Sequence, residues 1–200
     1  MSEHYYSEKP NVDRAPQTWH ARLRGKTYTF TSDRGVFSKN AVDFGSQLMI
    51  EQFREPQVAG DILDLGCGYG PIGITLAYTY DTRHVVLTDV NERALLLTKQ
   101  NIQQNHINNI SIIQSNGLSE VMNRTFAAVV TNPPIRAGKK VIYKMFRDAK
   151  DVLKDGGQLW VVIQKKQGAP SAKAELQNIF GNVDIVSRDK GYYILQATKV

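Results

Sequence analysis

The sequence predicts a doubly wound α/β domain whose parallel sheet ends with one antiparallel strand. Three observations lead there. From Gly60 onward, short apolar runs alternate with amphipathic stretches of helical length. The runs are apolar at consecutive positions, as in Ala127-Ala128-Val129-Val130, which is what strands covered on both faces require. The last two runs, Val183–Val186 and Tyr192–Ala197, are separated only by Ser187-Arg188-Asp189-Lys190-Gly191, a turn with no room for a helix. A terminal hairpin of this kind is normally missing from nicotinamide-binding domains.

In chain order, residues 1–17 are polar, punctuated by proline and expected to be loosely held. Trp19–Leu23 and Lys26–Thr31 alternate on either side of Arg24-Gly25 and read as a β-hairpin. Val42, Phe44, Leu48, Met49, Gln52 and Phe53 then share one face of a helix that Pro56 ends. Five strands follow, at Asp61–Leu65, His84–Thr88, Ile110–Gln114, Phe126–Thr131 and Gln158–Ile163. Helical stretches such as Glu92–Gln104 and Lys140–Leu153 lie between them. This divides the chain into an N-terminal segment (1–17), a hairpin and helix packed on the core (18–58) and the core itself (59–200). No repeat or low-complexity stretch interrupts it.

Composition narrows the function classes. With 200 residues and 42% of them hydrophobic, the chain can fill one real core, which excludes a disordered tail and a disulfide-stapled miniprotein. Cys67 is the only cysteine, so no intrachain disulfide forms and a reducing compartment is expected. The four histidines (His4, His20, His84, His106) are scattered away from any acidic or cysteine pair, and no metal site is expected. MSEHYYSEKP is too polar for a signal peptide and no apolar run has membrane-spanning length, so the expectation is a cytoplasmic protein, as a monomer. An excess of 25 Lys and Arg over 19 Asp and Glu, net +6, suits an anionic partner, nucleic acid first, or serves solubility alone.

The first strand of the core runs into Gly66-Cys67-Gly68-Tyr69-Gly70-Pro71-Ile72-Gly73. Glycines at this point let the backbone turn sharply and approach a ligand beside a helix N-terminus. Gly68–Gly73 also fits the dinucleotide pattern G-x-G-x-x-G. Asp64 separates the readings. A carboxylate two residues before the first glycine repels a pyrophosphate but suits a ligand with positive charge, such as the ammonium and sulfonium of S-adenosylmethionine. Asp89, at the end of the second strand, is placed to accept both hydrogen bonds of a ribose diol.

Phe126–Thr131 ends in Asn132-Pro133-Pro134-Ile135, at the carboxyl end of a central strand where open α/β sheets bind ligands. Methyl transfer to an exocyclic amine needs a nitrogen lone pair that is otherwise delocalised into the base. An Asn side-chain oxygen and a backbone carbonyl stiffened by prolines can hold the two N–H groups and aim that lone pair. No strong base is needed, because the proton can leave after attack.

These residues resemble the class I S-adenosylmethionine-dependent methyltransferases over about residues 20–200, through D-x-G-x-G-x-G, the Asp after the second strand and N-P-P-I. The resemblance implies a Rossmann-like sheet of seven strands, the last antiparallel. Gly35-Val36-Phe37-Ser38 and Val42-Asp43-Phe44-Gly45-Ser46-Gln47-Leu48 resemble more particularly the RsmC-like enzymes, which methylate the N2 amine of a guanine in bacterial small-subunit (16S) ribosomal RNA. Longer members carry two tandem domains, and this chain has room for one. By that resemblance Asp64, Gly66, Cys67, Gly68 and Gly70 surround the methionine part of the cofactor. Asp89 takes the ribose and Val90 packs beside the adenine. Asn116 meets the adenine amine or caps a turn, and Phe37 lines the cofactor pocket or the core. Asn132 and the Pro133 carbonyl hold the target amine, with Pro134 and Ile135 completing the catalytic loop.

One departure is Ile135, where related enzymes often have an aromatic residue that stacks on the base. Candidate RNA contacts are Arg136, Lys139 and Lys140 after that loop, Lys165 and Lys166 after the fifth strand, and Arg22, Arg24 and Lys26 at the hairpin tip, with Arg34 and Lys39 beyond. Each group also reads as a solvated face. Tyr192-Tyr193 reads as strand packing. The expected acceptor is ribosomal RNA or the small ribosomal subunit. A protein glutamine amide and adenine N6 share the same delocalised lone pair, and a non-catalytic RNA-binding module remains a further reading.

Overall fold

The computed structural model describes residues 13–36 and 41–200. Its hairpin pairs β1 (Gln17–Leu23) with β2 (Lys26–Ser32), Trp19 opposite Phe30. Arg24 and Gly25 both have positive φ, 47° and 78°, as a two-residue turn between twisted strands requires. Part of the segment expected over 1–17 to be loosely held is described. Gln17 already belongs to β1, and Arg14 forms an ion pair with Asp33 at 3.0 Å. Residues 1–12 lie outside the described residues.

The chain then forms helix α1 (Phe44–Gln52), capped by the Asp43 side chain, and enters the alternating core. Its elements are β3 (Ile62–Leu65), α2 (Pro71–Thr79), β4 (Val85–Asp89), α3 (Glu92–Gln104), β5 (Ile110–Gln114), β6 (Phe126–Thr131), α4 (Lys139–Val152), β7 (Leu153–Gln164), α5 (Ala169–Phe180), β8 (Asp184–Asp189) and β9 (Tyr192–Thr198). The seven core strands lie in the order β5-β4-β3-β6-β7-β9-β8, and only β9 runs against the rest. This is the Rossmann-like arrangement that the terminal hairpin predicted.

One strand is longer than its apolar run. β7 begins at Leu153, which the sequence pattern assigned to the preceding helix, rather than at Gln158. The pairing with β6 shifts register between Phe126 and Ala128, where Gly156 takes φ 77° and a side chain on Gly157 would press on the Lys154 carbonyl. Such a bulge breaks the apolar alternation that marks a strand.

The hairpin, α1, α2 and α3 cover one face of the sheet, with Tyr28, Phe30, Phe53 and Trp160 in that core. On the other face α4 and α5 bury Phe126, Phe146, Leu159 and Phe180. β2 pairs only with β1, and α3 completes its other edge with side-chain amides. The Thr31 amide donates to Asn101 Oδ1 (2.8 Å), and Asn101 Nδ2 donates back to the Thr31 carbonyl (3.0 Å). Asn105, one helical turn on, repeats the exchange with Thr29 at 3.0 and 2.8 Å. These reciprocal bonds satisfy a strand edge that would otherwise be orphaned.

Candidate active site

Strand register assembles the site. Leu65 of β3 pairs with Thr88 of β4 and with Thr131 of β6, so the next residue of each strand, Gly66, Asp89 and Asn132, stands in one row. The row lies at the carboxyl ends of the strands, where the sheet order reverses between β3 and β6 and a crevice opens. Two cavities meet there. A larger one, of about 410 Å³, is lined by Gly66, Asp89, Val90, Asn116, Asn132 and Pro134 among others. The smaller, about 60 Å³, runs between the glycine loop, Val36, Asp43, Ser46 and Asn132.

The glycine loop leaves β3 with Gly66 and Cys67 both donating to the Thr88 carbonyl at 2.8 Å. Gly66 and Gly68 take φ of 75° and 59°, and a side chain on either would meet nothing within 4 Å. Their missing side chains therefore leave open volume on the wall of the cavities. Gly73, in contrast, is a packing glycine. A Cβ there would lie 2.6 Å from Leu87 and 2.9 Å from Asp64 Oδ2.

Asp64 sits beneath this loop and is not among the residues that line either cavity. It is buried, and Oδ2 accepts the Gly73 amide at 2.8 Å. Burial pushes its carboxyl up to about 7; the Gly73 bond opposes this and the nearby Asp89 charge adds to it. Asp89 is half-buried and lines both cavities, with Oδ2 accepting from Gly68 (2.8 Å) and Oδ1 from Asn91 (2.9 Å). A carboxylate offers about four acceptor positions, so Asp89 keeps capacity for a further donor. Desolvation raises its pKa as well, against its backbone hydrogen bonds. Two acidic side chains this near each other disfavour a pyrophosphate and suit a cationic ligand. Cys67 is buried with its thiol 3.9 Å from Thr98 Oγ1, and burial followed by the charges of Asp89 and Asp64 pushes its pKa up, so it is an inert wall.

Asn132 is aimed by α1. Its Nδ2 lies 3.3 Å from Asp43 Oδ2 and 3.1 Å from Ser46 Oγ. A carboxylate only accepts, so the amide nitrogen must face it and Oδ1 must face away. Among the described residues no donor reaches that oxygen. Of the two proline carbonyls, that of Pro134 accepts from Ala137 at 2.9 Å within the 3-10 turn Ile135–Ala137. The Pro133 carbonyl accepts no backbone hydrogen bond of this kind among the described residues. Two acceptors are thus left uncommitted on one rigid loop.

A family model for the methyltransferase small domain matches residues 27–196. The chain belongs to that family. It is 57% identical over its whole length to an uncharacterised protein of Bacillus subtilis (strain 168). It is 29% identical to the ribosomal RNA large subunit methyltransferase G of Klebsiella pneumoniae, over 96% of this chain and 52% of that protein. Among solved structures, the T. thermophilus 16S rRNA N2 guanine methyltransferase RsmC, in complex with AdoMet and guanosine, superposes with a TM-score of 0.81 at 25% identity. It too is covered over 52% of its length, so this small-domain protein spans about half of the named enzymes that it matches.

Not every expected residue joins the site of this small-domain protein. Val90 and Asn116 line the larger cavity, and Asn116 is exposed. Phe37 and Lys39 lie outside the described residues. Ile135 is partly buried and packs against the core on the α4 side. Arg136, Lys139 and Lys140 are exposed where α4 starts. Lysines in a first helical turn oppose the helix dipole, so they suit an external anion better than they suit the helix. Lys165 and Lys166 are exposed at the same edge of the sheet.

Arg24 is bonded within the fold. Its guanidinium donates to the Ile50 carbonyl (2.7 Å), the Phe53 carbonyl and Tyr80 Oη (2.9 Å), closing the C-terminus of α1 at the opposite end of the sheet. Arg22 is exposed beside it, and Lys26 lies over the Tyr78 ring at 3.3 Å, so the hairpin tip stands apart from the active edge. Asp43 and Ser46 line the smaller cavity and hold Asn132, and sequence reasoning gave them no site role. The available signal was the helix-capping spacing Asp43-x-x-Ser46, which Ser46 satisfies by donating its amide to Asp43 at 3.1 Å. Among the described residues no group of His, Cys, Asp and Glu has a metal-binding arrangement, and no helix is long and apolar enough to cross a membrane.

Proposed function

We propose that the chain transfers a methyl group from S-adenosylmethionine to the exocyclic N2 amine of a guanine in small-subunit (16S) ribosomal RNA. The observation that carries this reading is the orientation of Asn132, whose amide hydrogens are taken by Asp43 and Ser46 while Oδ1 stays open. The site fits the cofactor by three features: the glycine cradle, the carboxylate of Asp89 at the rim, and a carboxylate pair that favours positive charge. Gly66, Gly68, Asp89, Val90 and Asn116 would hold it. When bound, it supplies an electrophilic methyl on a sulfonium.

The remaining work falls to the protein. Asn132 Oδ1 accepts one N–H of the target amine and the Pro133 carbonyl accepts the other, which leaves the nitrogen lone pair pointing out of the plane of those bonds. The proton leaves to solvent after attack, so no side chain serves as general base. Orientation accounts for the rate. A target base stacked in a helix must first be extruded. The similarity to RsmC supports a guanine amine, and that to the large subunit methyltransferase supports ribosomal RNA as acceptor.

The test incubates the protein with methyl-labelled S-adenosylmethionine and separate small and large ribosomal subunits from a strain lacking the enzyme. Label in N2-methylguanosine from small-subunit RNA is the expected result. Label in large-subunit RNA moves the acceptor to the other subunit, and label in the protein fraction overturns the guanine reading in favour of a glutamine amide.

A further inference from the structure

We propose that Phe44, Tyr192 and Lys190 form a stacking and phosphate-binding subsite for the nucleotide strand beside the target base. This rests on the nucleic-acid acceptor proposed above. Phe44 follows directly on Asp43, so the residue that aims Asn132 and the first ring of the subsite are adjacent in the chain. Its ring centroid lies 5.7 Å from that of Tyr192, at an interplanar angle of 53°. The Lys190 ammonium stands 4.5 Å above Phe44.

The topology brings these residues to the active edge. β9 is antiparallel to β7 and Gln164 pairs with Tyr192, so the turn joining β8 to β9 projects from the same edge of the sheet as Asn132. Lys165 donates to the Gly191 carbonyl at 2.7 Å, which ties the basic segment after β7 to that turn. Lys165, Lys166 and Lys190 are all exposed, and none forms an ion pair among the described residues; Asp189 is the exposed acid in the same turn.

The rings of Phe44 and Tyr192 both pack at the margin of the core on the α1 side. Tyr28 and Phe30 are wholly buried, whereas Phe44 and Tyr192 are each only partly buried. Their positions are nevertheless pinned, since a Cβ on Gly45 would lie 2.7 Å from the Tyr192 ring. A partly open, rigid aromatic pair under a lysine offers a base its π-face and a phosphate its counter-charge. Ile135 has no π-face, and this pair supplies one from another part of the fold.

The experiment is a fluorescence-anisotropy titration of the full chain with a fluorescein-labelled twelve-nucleotide single-stranded RNA containing one guanine. Phe44→Leu and Tyr192→Leu should weaken binding about fivefold or more, and Tyr192→Phe should retain it. Lys190 has a φ of 45°, a conformation that asparagine tolerates, so Lys190→Asn removes the charge without straining the turn. That variant should weaken binding and lower the slope of log affinity against log salt by about one. S-adenosylmethionine affinity, measured by calorimetry, should stay within about twofold of wild type in each and so report folding. Wild-type binding with affinities unchanged in Phe44→Leu and Lys190→Asn overturns the subsite alone. No binding by the wild type overturns the nucleic-acid reading beneath it.

Discussion

Arg24 and Asn132 are both held by α1, one at each end of the helix. At the C-terminal end, Arg24 donates through Nε, Nη1 and Nη2 to Ile50, Tyr80 and Phe53. At the N-terminal end, Asn132 donates only through Nδ2, and its oxygen faces the cavity. Both are polar residues that a reading of the sequence marks as candidates for ligand contact. The difference lies in spare hydrogen-bonding capacity. A side chain whose polar atoms all have partners in the fold stabilises the fold, while one held by half its atoms is positioned to act on something else.

The sharpest way to break this comparison is Asn132→Ala. Methyl transfer should fall on the order of 10²–10³-fold, by analogy with removal of one oriented polar group from a catalytic site. Cofactor affinity should barely move, and a large loss of it would assign Asn132 to the wrong ligand. Asp89→Ala should do the reverse, weakening S-adenosylmethionine by about 1.5–3 kcal/mol, or roughly ten- to a hundredfold. Unchanged affinity in a calorimetric titration would remove Asp89 from the ribose. Arg24→Ala tests the other end. It should cost about 1–3 kcal/mol of stability, at about 2–4 °C of Tm for each kcal/mol, with turnover per folded molecule and RNA affinity unaltered. Weaker RNA binding in that variant would return the hairpin tip to the substrate surface.

A further expected effect is a change of slope. Asp64 titrates at about 7 in the folded chain, against about 3.9 when unfolded. The folded state therefore holds the extra proton, and this contribution to stability, fully present below about pH 4, is lost as the pH rises to about 7. Asp64→Asn should flatten that decline in Tm between pH 5 and 8. A slope equal to that of wild type would place the titration on another group.

Much of the fold was legible because its signals are local. Continuous apolar runs mark strands that are buried on both faces, and five residues between two such runs cannot hold a helix. The antiparallel β9 therefore follows from residues 183–197 alone, although the strands extend to leave only Lys190-Gly191 as the turn. The start of β7 was hidden because Gly156 and Gly157 break the run at a bulge whose partner lies in β6, some thirty residues away in sequence. Within the site, Gly66, Asp89 and Asn132 each end a strand, and their chain positions were sufficient to single them out. The burial of Asp64 and the internal bonds of Arg24 were not legible, because charge is visible in a sequence and burial is not. Asp43 was passed over for the opposite reason, since a helix-capping carboxylate shows nothing of a partner in β6.

By itself, then, the sequence determined the alternation of strands and helices, the glycine turn and the residue types at the strand ends, because each depends on neighbours within a few positions. Only the tertiary structure decided which of those polar groups keep an open atom. Register brings Gly66, Asp89 and Asn132 into one row, α1 turns the oxygen of Asn132 toward the cavity, and the terminal hairpin carries Tyr192 to Phe44. These are long-range contacts, and they depend on how the layers pack rather than on any single stretch of chain.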